Sequence, residues 1–233
     1  MVYAWVQAAV VGLFTLNVVP KAIRSPWPPM RWWAAAIAMG FLATLAYLGA
    51  VYWENAWLFR LYYLLGAMWM AAYMGLGSLH LEWGQRHPSR LKATVVGVLV
   101  LSLLGAILLA LLPVQEGALL QLAGQPGTGA VSHQGVLGAL WLIDMILLNT
   151  FGLLAVMLVA AASAWRAYTA RAPRRVAVGN GLIALGVLLL GAAGTAARVG
   201  FPGSFWVVMA VGWVVVYSGF GFIGSRSAGQ RRS

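Results

Sequence analysis

The stretch HLEWGQRHPSRLK, residues 80–92, separates two apolar runs and carries Arg86, Arg90 and Lys92. Each flanking run has the roughly 20 residues that a helix needs to cross a bilayer. Short basic connections between such runs stay on the cytoplasmic side. Outward from this stretch the pattern recurs. Lys21, Arg24 and Arg31 form one further basic segment, Arg166, Arg171, Arg174 and Arg175 another, and Arg226, Arg231 and Arg232 a last one. Of the 15 Lys and Arg residues, only Arg60 and Arg198 lie elsewhere. The basic segments alternate with apolar runs at Val2 to Val19, Trp32 to Tyr52, Trp57 to Leu81, Ala93 to Leu112, Gly135 to Trp165, Val176 to Val199 and Phe205 to Ile223. The alternation predicts an all-α polytopic membrane protein, a seven-transmembrane-helix bundle with its N-terminus outside and C-terminus cytoplasmic. Residues 1–225 then form a single membrane domain and 226–233 a basic cytoplasmic tail.

Composition agrees. A chain that is 62% hydrophobic and 8% charged is not a soluble globular domain, in which about a quarter of residues are charged. The net charge of +11 follows from topology, with attraction to anionic lipid as a by-product, so membrane lipid is the expected partner and nucleic acid is not. Other membrane subunits or further copies of the chain are the remaining candidates. There is no cysteine, which excludes disulfides, thiolate metal sites and cysteine nucleophiles. The first basic residue, Lys21, follows the first apolar run, as in a retained span and unlike a secretory signal. Twelve Trp and Ala/Gly/Leu/Arg-rich usage suit a bacterial inner (plasma) membrane.

Breakers and aromatics mark the ends of the spans. Pro20 is expected to stop the first helix, and Pro26, Pro28 and Pro29 to keep the first basic connection non-helical. Trp5, Trp53, Trp57 and Trp206 fall at outer ends and Trp27, Trp32, Trp33, Trp83 and Trp165 at inner ends, where amphipathic rings prefer to sit. The long connection 114–134 is Gly-rich, contains Pro126, and is expected to be external and mobile.

A local echo links two spans. Trp69-x3-Tyr73-x-Gly75-x-Gly77 recurs as Trp213-x3-Tyr217-x-Gly219-x-Gly221, and Arg31 matches Arg175 at the same offset. It fits a weak 3+1+3 repeat, residues 1–83 and 135–225, one of the transporter architectures. Chance recurrence in a Trp- and Gly-rich chain fits it as well. The small-residue spacings themselves, such as Ala71-x3-Gly75, serve close helix approach.

Ionisable groups inside a membrane are costly and call for a partner or a use. Counted from the basic segments, Arg60, Asp144 and Arg198 reach one depth near the outer boundary. They are expected to form an ion-pair or ligand site, with Tyr62, Tyr63 and Asn149 supplying hydrogen bonds. A planar guanidinium suits carboxylate or phosphate ligands, while an interfacial salt bridge fixing helix order is the plainer account. No nucleophile motif, His-Glu-x-x-His pair or facing histidines appear, so neither an enzyme, a haem nor any other cofactor is expected. Glu82 lies two residues from His80, a spacing that faces different sides of a helix and makes no metal pair.

Seven spans with an external N-terminus resemble rhodopsins and the small 3+1+3 sugar transporters. The rhodopsin resemblance stops at the chromophore, since the only lysines are Lys21 and Lys92 at the inner face. The proline-glutamine motifs of the sugar-transporter class are absent. What remains is a small permease or channel-like transporter with an outer-side polar site. A scaffold or accessory subunit of a membrane complex and a retinal-free sensor module are the alternatives.

Overall fold

The computed structural model describes residues 1–224 except 116, 118, 120–122, 128, 129 and 133; the basic tail 226–233 and His133 lie outside the described residues. Among the described residues seven helices are long and apolar enough to cross a membrane: α1 (Val2–Arg24), α2 (Pro28–Tyr52), α3 (Ala56–Trp83), α4 (Pro88–Leu111), α5 (Gly135–Thr169), α6 (Arg174–Arg198) and α7 (Phe205–Gly224). This is the make-up of a multi-pass membrane protein. Among the described residues no strand occurs, and the only β-type pairing is one bridge between Val114 and Val131. Connections α1–α2, α3–α4 and α5–α6 lie at one end, here the basic end. The opposite end carries Met1 and the long α4–α5 connection.

Several helix limits differ from the sequence expectation. α1 continues through Pro20 to Arg24. The proline removes one N–H donor, but a helix end near an interface finds replacements for the freed carbonyl. Pro28 and Pro29 open α2, because the first helical turn has no intrahelical use for their missing N–H groups. α5 has 35 residues, about 52 Å at roughly 1.5 Å per residue, and projects beyond a hydrocarbon core of about 30 Å. Trp5, Trp53, Trp57, Trp27 and Trp165 are more than half exposed, as an aromatic belt requires. Trp206 and Trp33 depart from that expectation and are buried in the bundle.

α3 carries the irregularity that shapes the interior. Asn55 caps its start by accepting a 3.0 Å bond from Leu58 N. From Tyr63 to Trp69 the helix is wound as a π-helix, flanked by α-helical Ala56–Tyr62 and Met70–Trp83. The wider turn displaces the backbone, and π segments occur often at functional sites. Asn149 of α5 answers it, donating to Ala67 O in this segment and to Met145 O at 2.9 Å. Below it, Gly75 of α3 lies against the backbone of Gly152 on α5, so the two helices touch main chain to main chain. At the basic end Glu82 accepts bonds of 2.8 and 2.6 Å from both terminal nitrogens of Arg166, clamping the same pair.

The two echo motifs have different surroundings. Trp69 donates to Ser102 O of α4, and Gly75 and Gly77 meet α5 and Trp33 of α2. Trp213 lies against Gly40 of α2 and Phe14 of α1; Gly219 meets α6, and Gly221 has open space beside it.

Candidate functional site

Between the helices lies a cavity of about 300 Å³, at the lower end of the range for small-molecule sites. Every helix except α4 contributes to its wall. Most of the wall is apolar, with Met70, Met74, Val156, Val187 and Leu190 deep between the helices. The polar exceptions are Gln7, Thr44, Tyr62, Tyr63, Asn149, Thr150, Thr195 and, at the rim opposite the basic end, Arg198. The π segment supplies Tyr63, Gly66 and Ala67 to this wall, so its irregular winding is part of the cavity's shape.

The long connection closes one end. Tyr62 donates to Pro126 O and Tyr63 to Gly127 O, each at 3.1 Å, while Gly124 N donates to Tyr47 OH at 3.0 Å. Pro126 itself lines the cavity, and Leu119, Ala130 and Val131 are buried in the core. The described residues of the connection, expected to stand clear of the bundle, are packed against it. A segment with few apolar residues would stay free, but this one buries Leu119, Ala130 and Val131 and caps a layer of aromatic rings. Tyr47 and Trp206 lie 4.5 Å apart, and Tyr63 and Trp141 5.7 Å. Gly127 adopts φ of +72° beside the Phe59 ring, where a side chain would be strained in backbone and would clash.

This cover should be separable from the bundle. Replacing Tyr62 and Tyr63 together by Phe removes two bonds worth about 1 kcal/mol each. Amide exchange at Gln115, Ala130 and Ser132, which bond within the connection, should then accelerate about 30-fold while exchange in the helices is unchanged. Unaltered exchange at these amides would show that the tyrosines do not hold the cover.

The six residues singled out from sequence separate into two groups. Tyr62, Tyr63, Asn149 and Arg198 line the cavity. Arg60 does not: its Nε and Nη2 donate to Leu109 O (3.3 Å) and Leu112 O (2.8 Å), and its guanidinium lies 4.8 Å from the Trp57 ring centre. The last carbonyls of a helix lack intrahelical donors and carry the negative end of its dipole, so Arg60 caps α4. Asp144 pairs with neither arginine, which corrects the expected ion pair. Among the described residues the salt bridges are those of Glu82 with Arg86 and Arg166. Arg198 instead places Nη2 3.8 Å from Met145 Sδ. Equal depth along three helices did not bring the three charges together, because depth says nothing about which way a residue faces around its helix.

Asp144 is 3% exposed, and neither carboxyl oxygen has a hydrogen-bond partner among the described residues. It faces α4, where Gly105 leaves space for Oδ2 next to Met68 Cε. Ser102, one turn before Gly105, also has a buried hydroxyl without a partner. Sequence reasoning passed over Gln7, Thr44, Thr150 and Thr195. Gln7, at 2% exposure, was readable as one of two amides, with Asn17, in an otherwise apolar span, whereas Thr44 gave no signal that separates it from any helical threonine. Among known proteins no family model, no curated relative and no solved structure matches this chain, so its geometry alone carries the functional argument.

Proposed function

We propose that this protein is a small permease and that the cavity is its solute site. The observation that carries the reading is the cavity itself: six of seven helices converge on it, the connection covers one end, and a few polar groups stand in an apolar wall. A scaffold has no need of an interior space that costs packing energy, about 1 kcal/mol or more for each methyl-sized void. The π segment supports the same reading, since it displaces backbone where the cavity lies.

The natural lack of cysteine makes the test direct. Single Thr44→Cys and Asn149→Cys variants are probed with a membrane-impermeant thiol reagent, in sealed vesicles of both orientations. A permease is expected to label from both sides, because its site is exposed alternately. Labelling from one side only would favour a sensor, and no labelling a scaffold. A reporter fused after Arg232 gives the sides their names and is expected to read cytoplasmic; a reporter inserted near Gly127 is expected to read external. Localisation to a bacterial inner membrane and the absence of catalytic activity belong to this proposal.

A further inference from the structure

The wall between α5 and α6 is incomplete. At the end opposite the basic connections, Arg198 meets Met145; nearer the basic end, Leu153 packs over Gly191. From Met145 to Leu153 is about 12 Å along the helix at roughly 1.5 Å per residue. Within that interval Ile146, Thr150 and Thr195 both line the cavity and are exposed on the outside of the bundle. Gly194 stands between them, and a methyl group built on it would meet nothing within 4 Å. The cavity therefore opens sideways, through a window in a helical face whose other residues are apolar and exposed, such as Ile143, Leu147, Leu154 and Leu188.

We infer that the ligand of this cavity is an anionic single-chain amphiphile that enters from the lipid through the α5–α6 window. The inference rests on the permease reading for transport, but not for binding. A window in a lipid-facing wall admits molecules dissolved in the bilayer rather than in water. The rim of the window carries Arg198, whose guanidinium has no acidic partner within ion-pair distance among the described residues. Its planar fork of donors fits a carboxylate or a phosphate monoester. Hydroxyls of Thr150 and Thr195 lie one to two turns deeper, and beyond them the wall is apolar at Met70, Val187 and Leu190. A charged head at the rim and one hydrocarbon chain pointing inward match Arg198, the two threonines and the apolar part of the wall. About 300 Å³ admits one chain and not the paired chains of a bilayer phospholipid.

Photo-crosslinking of the full chain in lipid nanodiscs tests this, with diazirine-bearing palmitic acid and the matching diazirine-bearing hexadecanol as probes. The acid should label the wild type on α5 and α6 about 10-fold more than the alcohol, since hydrogen bonds to a charged group contribute about 1.5–3 kcal/mol. Arg198→Gln should bring the acid down to the level of the alcohol. Gly194→Phe should fill the window and reduce labelling of the cavity by both probes about 10-fold, a difference of about 1.4 kcal/mol. Open space at Gly194 should let this variant fold, and Gly194→Leu is the smaller alternative if it does not. Equal labelling by acid and alcohol, or undiminished labelling in a folded Gly194 variant, would overturn the inference. Thiol labelling of Thr44→Cys from both sides without acid-selective crosslinking would leave the permease standing and remove the amphiphile. Acid-selective crosslinking without two-sided thiol labelling would support the binding site and remove transport.

Discussion

Gly152→Ala is expected to destabilise the protein by about 3 kcal/mol or more, at the upper end of what overpacking costs. An added methyl would overlap the carbonyl of Ala71 and the nitrogen of Ala72. These are backbone atoms inside a helix and cannot rotate away, unlike the far end of a side chain. α3 and α5 would have to separate. That would strain the Glu82–Arg166 clamp and open the cavity, which Gly152 and Ala71 both line. Gly221→Ala is the control, since that glycine has open space beside it. Thermal melts and denaturing-detergent titrations of both variants would measure the difference. A Gly152→Ala variant within about 1 kcal/mol of wild type would show that the α3–α5 contact does not hold the bundle together.

The second large effect concerns Asp144 and Gly105. Gly105→Ala alone should cost about 2–3 kcal/mol, because the new methyl would overlap both Asp144 Oδ2 and Met68 Cε. In an Asp144→Ala background the same change should cost less than about 1 kcal/mol, leaving a coupling of about 2 kcal/mol. The flexible end of Met68 can move aside once the carboxyl is gone. Asp144→Ala alone should be close to neutral or stabilising, since it removes two buried oxygens that lack partners. Additive effects would mean that Asp144 does not occupy the space that Gly105 leaves. A loss above about 3 kcal/mol from Asp144→Ala would reveal a partner for the carboxyl.

The spans were legible because each depends on a local quantity. A run of about 20 apolar residues must be helical in lipid, as the backbone has no other way to satisfy its hydrogen bonds. Helix ends were less legible. Pro20 and Pro28 act differently according to which helical turn holds them, and that is set by where the chain meets the interface. The π segment gave no sign in sequence: Tyr63 to Trp69 is an ordinary apolar run. Its winding is matched by an amide from Asn149, 82 residues away from Ala67.

The candidate site shows the same division. Tyr62, Tyr63, Asn149 and Arg198 were found by asking which polar side chains an apolar span must justify, a question the sequence can answer. Arg60 and Asp144 passed the same test and belong to other structures, one to the end of α4 and the other to the gap at Gly105. By itself, the sequence determined that this chain forms seven apolar helices joined by alternately basic connections, all short but one, because burial in lipid acts on each segment separately. Only the tertiary structure decided which face of each helix turns inward, how the described residues of the α4–α5 connection fold over the tyrosines, and that a window is left between α5 and α6. Those outcomes depend on rotation and contact between helices distant in sequence, which hydropathy and charge do not encode.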